Sequence, residues 1–273
     1  MIRCSLQRPR SVILTVAVQT GPGSVKFRTP YPESPGRRRS SCTRTLPPAT
    51  VSLAQFGPAR GEILDYGAGE LLGLHFVGAI SPRGHFLDLV VGTRRMAERA
   101  ASLPTVIDTT GMITGPGYAL KRAQIESLAP DAIVMLEQGH ELGRLAAEFR
   151  YLTVVRLPPA SMVRRRSAAE RKKARMEAFV RYFSGACSVR MAWGSTIIQR
   201  GTLRERLLCG VADGQGEVVG LGLVERLEKA GFVLHTPVNG EDVALVQAGE
   251  LLVRPDGSHR AFPGPRRPAA RQR

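Results

Sequence analysis

The chain has 273 residues, enough for one large domain or for one domain with a small partner. Hydrophobic residues make up 43% of it, which excludes wholesale disorder. Lys and Arg number 39 against 23 Asp and Glu, a formal charge of +16 that favours polyanions: nucleic acid, nucleotide phosphates or an anionic membrane. Two basic tails carry part of that charge. Residues 1–46 hold eight arginines and one glutamate, and residues 254–273 hold six arginines and one acid. A dense basic cluster from Arg164 to Arg181 keeps the middle basic as well.

Residues 1–46 form an atypical basic segment, rich in Arg, Pro and Ser. Its one plausible strand runs from Ser11 to Val18. Arg3, Arg8 and Arg10 ahead of that apolar run imitate the start of a signal peptide. The run is short, and no cleavage site follows it, so a strand in a cytoplasmic protein is the reading adopted. No apolar run approaches the ~18 residues of a membrane span. Gly21-Pro22-Gly23-Ser24-Val25-Lys26 after the strand has the outline of a phosphate-binding loop, with Lys26 as the nucleotide contact. The pattern GxxxxGK[ST] is incomplete. The spacing is one residue short, no Gly precedes Lys26, and Phe27 stands where Ser or Thr would hold a metal. An ordinary Gly-Pro turn is the competing reading.

From Leu46-Pro47-Pro48-Ala49-Thr50 onward the apolar spacing becomes regular. Gly73 to Ile80 predicts a strand, Pro82-Arg83-Gly84 a turn, and Leu87 to Ala101 a helix with Arg94, Arg95 and Arg99 on its outer face. Thr105-Val106-Ile107-Asp108 reads as a buried parallel strand ending in a carboxylate. A helix over Ala119–Leu128, closed by Pro130, leads to a strand over Ala132–Leu136. A short helix over His140–Phe149 and a strand over Leu152–Leu157 follow. Strands alternating with helices imply a parallel α/β sheet with right-handed crossovers. Val163 to Phe183 predicts a long basic helix. Residues 196–255 hold short alternating runs between Asp213-Gly214, Gly216, Asn239-Gly240 and Asp256-Gly257, which predicts a small β domain. Residues 256–273 read as a basic tail.

The residues that carry chemistry are few. The four cysteines form no CxxC pair and the five histidines do not cluster, so neither a zinc site nor a disulfide framework is expected. Asp108 ends a buried strand, where open α/β sheets bind ligands. It reads either as a magnesium-side carboxylate or as a polar strand end capping the next loop. Gly111 lets the backbone approach a ligand or serves a turn. His85, in Ser81-Pro82-x-x-His85, reads as a phosphate or base contact or as a plain loop histidine. Arg171 and Arg175 lie four apart and share a helix face. Such a pair can clamp a transferring phosphoryl group or form a solvated, RNA-contacting surface. Asp-Thr-Thr-Gly also resembles a GTPase switch segment, but no Asn-Lys-x-Asp guanine-reading motif follows it.

Four segments in one order, PPATVSLA (47–54), FVGAISPRGH (76–85), VIDTTGMITGPGYALKR (106–122) and RRRSAAERKKARMEAFVRYF (164–183), resemble the polynucleotide 5'-hydroxyl kinase family over about residues 46–255. The resemblance implies an α/β, P-loop NTPase-like parallel sheet with helices on both faces, over residues 47–195, plus a small C-terminal β domain. It implies ATP with Mg2+ as cofactors, transfer of the γ-phosphate to the 5'-hydroxyl of RNA or DNA, and RNA-processing proteins as further partners. By the same resemblance Ser81, Pro82 and His85 hold the substrate end. Asp108, Thr109, Thr110 and Gly111 lie near the phosphates, with Asp108 organising the metal. Arg171 and Arg175 stabilise the transferred charge from a lid. The family's GxxxxGK[ST] loop and its acidic DxGQS motif before PPGT are not intact: PPAT is preceded by Ser-Cys-Thr-Arg-Thr-Leu. Phosphoryl transfer has then been lost, or residues 1–46 are not the family's native sequence. A non-catalytic RNA-binding or scaffold protein on the same fold is the alternative.

Overall fold

The computed structural model describes residues 12–17, 26–30, 48–56, 70–100, 105–159 and 167–262. The chain divides into two compact units, Met1–Tyr182 and Phe183–Arg273.

The first unit is built on a sheet. Its parallel block runs β5 (Thr105–Asp108), β1 (Val12–Ala17), β6 (Ala132–Leu136), β7 (Thr153–Leu157). Beyond β5 lie β2 (Lys26–Pro30), β3 (Thr50–Phe56) and β4 (Glu70–Phe76). β2 runs antiparallel to β5 and parallel to β3, and β4 runs antiparallel to β3. The apolar β-branched runs thus become strands, and the alternation within them sorts their faces. In β5, Thr105 and Ile107 are buried while Val106, between them, is 36% exposed.

Three helices supply the rest of this core. α1 (Phe86–Ala100) buries Leu89, Thr93, Met96, Ala97 and Ala100, spaced at three and four residues. α2 (Pro116–Leu128) contributes Leu120, Ile125 and Leu128, and α3 (Gly143–Glu148) contributes Leu145. These pack with Leu14, Ile107, Ile133 and Met135 in one cluster. Each such side chain contributes ~1.5–3 kcal/mol by leaving water. α2 stops where Ala129 turns left-handed (φ 45) and donates its N–H to Ile125 O at 2.9 Å; Pro130 cannot continue the helix. Asp131 then ties this turn to the start of β1. Its Oδ2 accepts the Val12 N–H at 2.6 Å, and its N–H donates to Val12 O at 2.9 Å.

Several boundaries differ from the sequence reading. The strand expected over Gly73–Ile80 is Glu70–Phe76, because the Val77 and Gly78 N–H groups both turn to Ala49 O. α4 (Ala168–Phe183) begins at Ala168, not Val163, since Ser167 caps it. The Glu170 N–H donates to Ser167 Oγ at 3.1 Å and the Ser167 N–H to Glu170 Oε2 at 2.7 Å, a reciprocal capping box. Residues 163–166 lie outside the described residues.

The second unit is antiparallel in the main. β10 (Leu207–Ala212) lies between β11 (Val218–Leu227) and β13 (Leu245–Val253) and is buried throughout. β12 (Gly231–Thr236) pairs β11 and β8 (Cys187–Ala192); β14 (His259–Ala261) and the short parallel β9 (Ile197–Gln199) pair β13. The strands therefore begin at Cys187, ahead of the run expected from 196. The Asp-Gly turns behave as their chemistry requires. Asp213 Oδ1 accepts the N–H groups of Gln215 and Glu217, and Asp256 Oδ1 that of Ser258. Asn239-Gly240 instead opens a 3-10 turn over Gly240–Asp242. Residues 183–262 carry eight basic residues against nine acidic ones, so the excess positive charge lies elsewhere in the chain.

Candidate functional site

The carboxyl end of the parallel block is where the polar residues gather. Asp108 ends β5, opposite Thr15 of β1 and, on its other side, Lys26 of β2 in the backbone register. The side chain of Lys26 and the loop over residues 21–25 lie outside the described residues. Thr109 and Thr110 follow, both buried, and Gly111 begins the turn into α2.

That turn depends on two glycines. Gly115 adopts φ 54 and ψ −126, a region that only glycine occupies readily. Gly117 lets α2 press against the preceding loop: a Cβ there would lie 2.3 Å from Met112 Cγ and 2.7 Å from Met112's backbone carbon and oxygen. Pro116 sits in the first turn of the helix, where no intrahelical partner is needed for its nitrogen.

One turn further along α2 stands Lys121, with no exposed surface. Its Nζ donates to Thr110 Oγ1 at 3.3 Å. Burial pulls its ammonium down to about 7, and the carboxylate of Asp108 pulls the other way. Gln124, on the same helix face and equally buried, donates Nε2 to Thr93 Oγ1 at 3.2 Å, and that hydroxyl donates to Leu89 O at 2.5 Å. A pocket of about 270 Å³ opens beside the loop, with Thr114, Gly115, Tyr118, Lys121, Glu141 and Arg144 in its wall. Arg144 lies over the Tyr118 ring, 4.5 Å from its centre, and the Tyr118 hydroxyl bonds to Glu148.

A second anchor follows β6. Glu137 is buried, accepts the Leu142 N–H at 2.8 Å through Oε2, and pairs with Arg156 of β7 through Oε1. Arg156 also reaches His140 Nδ1 at 3.2 Å. Burial works to raise the Glu137 pKa. The bonds from Arg156 and Leu142, with nearby positive charge, outweigh it and hold the carboxyl below its ordinary range. The helix expected over His140–Phe149 accordingly shortens to Gly143–Glu148, because residues 137–142 serve this anchor.

The other sequence-predicted residues lie in two further sets. Ser81, Pro82 and His85 form one turn leading into α1. Ser81 Oγ accepts the Arg83 N–H, the His85 N–H donates to Pro82 O at 3.0 Å, and His85 O accepts the Leu89 N–H. His85 Nδ1 stands 3.7 Å from Asp88 Oδ2 in the first turn of α1, and the imidazole is mostly buried. On α4, Arg175 is partly buried, and its pKa is lowered first by burial and then by the charge of Arg171, one helical turn before it.

Lys121, Glu137 and Arg156 did not stand out in the sequence. The helical spacing that buries Leu120, Ile125 and Leu128 also buries Lys121 and Gln124, and this was the one available sign. A magnesium ion that travels with a nucleotide is held by one or two carboxylates and by the phosphates. Asp108 ends β5 at the carboxyl edge of the parallel block. Among the described residues, no group of three or more His, Cys, Asp or Glu could hold a metal ion. An ion carried by a nucleotide needs no such group, since one or two carboxylates with the phosphates suffice, and Asp108 would be the carboxylate at this edge; no step below passes through the metal.

Residues 43–185 match the family model described as mRNA cleavage and polyadenylation factor CLP1 P-loop. The chain is 32% identical over 259 residues to the polyribonucleotide 5'-hydroxyl-kinase of Pyrococcus horikoshii, covering 89% of this chain and 66% of that protein. It is 34% identical over 189 residues to the polyribonucleotide 5'-hydroxyl-kinase of Pyrococcus abyssi, covering 67% and 49%. The chain spans between about half and two thirds of the length of these relatives. In fold it is similar to Clp1p solved in complex with Pcf11p, with a TM-score of 0.58 at 10% identity, covering 90% of this chain and 75% of that one. No helix among the described residues is long and apolar enough to cross a membrane.

Proposed function

Since the chain belongs to the mRNA cleavage and polyadenylation factor CLP1 P-loop family, a family of nucleotide-binding P-loop proteins, we propose that its function is that of an ATP-dependent polynucleotide 5'-hydroxyl kinase. Its chemistry is transfer of the ATP γ-phosphate, delivered with Mg2+, to the 5'-hydroxyl of RNA or DNA. The observation that carries this reading is the 32% identity to a polyribonucleotide 5'-hydroxyl-kinase along 89% of the chain.

In this account phosphoryl transfer rests on positioning and electrostatics rather than on covalent chemistry. Arg171 and Arg175 share a face of α4 and present two guanidiniums to the charge that spreads over the transferring group. The Asp108–Gly111 loop lies beside the phosphates at the carboxyl edge of the sheet. Ser81, Pro82 and His85 take the 5' end of the polynucleotide. The setting is cytoplasmic RNA processing, with other RNA-processing proteins as partners. The residues from Gly21 to Phe27 do not complete a phosphate loop. Phosphate cradle, lysine and metal hydroxyl depart together, so the polypeptide with this sequence binds ATP weakly. Calorimetry with Mg-ATP tests this: clear micromolar binding would contradict it.

A second reading is favoured by the incomplete loop and the charge of +16, namely a non-catalytic RNA-binding or scaffold protein on the same fold. RNA affinity that falls steeply with salt, with no phosphate transfer from a loop-restored chain, would select it.

A further inference from the structure

Helices α2 and α3 follow β5 and β6, the two strands that flank β1, and so start from the carboxyl edge of the parallel block. Between the loop that opens α2 and the start of α3 lies the pocket of about 270 Å³, at the edge where open α/β sheets take their ligands. That volume falls just below the range of drug-sized ligands and suits a smaller one. Ile113, Leu142 and Leu145 make part of its wall apolar. Tyr118 adds an aromatic ring, and the Arg144 guanidinium lies over that ring, 4.5 Å from its centre. Glu141 and Thr114, both exposed, bring a carboxylate acceptor and a hydroxyl to the same wall.

The ring is held in place without a ligand. Its hydroxyl bonds to Glu148 of α3, and Glu148 pairs with Arg122 Nε at 2.8 Å. Tyr118 and Arg122 lie one turn apart on α2, so a single network across the two helices fixes the platform before anything binds. An aromatic ring beside an arginine plane is a surface on which nucleobases stack, because every base offers a π-face.

We propose that this pocket is a nucleobase subsite, which takes a base of the polynucleotide near its 5' end against the Arg144–Tyr118 pair, with Glu141 and Thr114 at the base's polar edge. Residues Ile113 to Gly115 in its wall continue directly from the Asp108–Gly111 loop, so the base lies beside the region proposed above for the phosphates. That the base belongs to a polynucleotide rests on the function proposed above; the stacking pocket itself does not.

The test uses the full chain with Arg144→Ala, which removes the cation, and Thr114→Trp, which fills the pocket. Both change exposed side chains, and Thr114→Trp keeps the carbonyl that accepts the Gly117 N–H at 3.0 Å. Fluorescence anisotropy compares a 5'-hydroxyl RNA oligonucleotide with versions carrying an abasic residue at each of the first three positions. In wild type, one abasic position lowers affinity by about 10-fold or more. Both variants weaken binding of the intact oligonucleotide by a similar factor and no longer register that position. Variants that bind as wild type does, or that keep the abasic penalty, would overturn the subsite. Saturation-transfer NMR with adenosine and cytidine 5'-monophosphates separates the two sources of a base. A wild-type chain that binds no oligonucleotide, yet saturates the base protons of these mononucleotides in a manner lost in Thr114→Trp, keeps the nucleobase pocket and overturns its assignment to a polynucleotide, and with it the proposed function. Binding of neither overturns the pocket.

Discussion

Replacing Glu137 by Ala removes the acceptor for one buried N–H and the partner of one arginine. Leu142 is 2% exposed, so its N–H finds no water when the carboxylate goes. An orphaned buried donor costs ~1–3 kcal/mol. Arg156 is 40% exposed on its side chain and recovers solvent, so its share is discounted to about 0.5 kcal/mol. The expected loss is about 1.5–3.5 kcal/mol, or roughly 3–14 °C in Tm for a chain of this size. Urea denaturation at pH 7 measures it. Acid titration adds an independent mark. The Glu137 carboxyl is held below its ordinary value of 4.5, so its contribution is present above that value and is lost as pH falls through the lower folded value. Glu137→Gln keeps the size and loses the charge. The stability gap between wild type and Glu137→Gln should therefore be constant near neutrality and close below about pH 4.5. A Glu137→Ala chain within ~0.5 kcal/mol of wild type, the range of an ordinary surface substitution, would refute the reasoning.

Three further outcomes follow from the geometry. Gly117→Ala drives a methyl into the Met112 backbone and costs about 1–3 kcal/mol, measured by urea denaturation; a neutral substitution would mean the loop and α2 are not packed as described. Ser167→Ala removes half of the capping box of α4 and costs about 1 kcal/mol, with a loss of helical circular dichroism on heating that precedes that of wild type. If Arg175 stabilises the transferring group as proposed, Arg175→Ala in a chain with the phosphate loop restored lowers kcat by about 100-fold or more with labelled ATP. A change confined to KM would assign Arg175 to ground-state binding instead.

The parallel block was legible because its signals are local. Thr105–Asp108 and Ala132–Leu136 are short apolar runs, and Pro130 marks the helix end between them. The start of α4 was equally local, since Ser167 and Glu170 spell a capping box, yet the basic run before it extends the helical pattern and masks the cap. β3 was not legible as a strand. Thr50–Phe56 gains its state from pairing with β4 and β2, which are distant in sequence. Lys121 and Glu137 were not legible as site residues for a related reason. Charged residues in helices and at strand ends are usually solvated, and burial was decided by what folded over them. Asp108 was therefore legible as the end of a buried strand, while Lys121, thirteen residues further on and buried on the inner face of a helix, was not.

The central claim is that this chain carries the substrate and lid elements of a polynucleotide 5'-hydroxyl kinase without a complete phosphate loop. The direct measurement is transfer of labelled γ-phosphate from ATP to a 5'-hydroxyl oligonucleotide, run on this chain and on one in which a GxxxxGK[ST] loop replaces residues 21–27. The expected result is transfer by the loop-restored chain and little or none by the chain with the present sequence. Equal transfer by both, or none by the loop-restored chain when it is folded and binds ATP, would contradict the account.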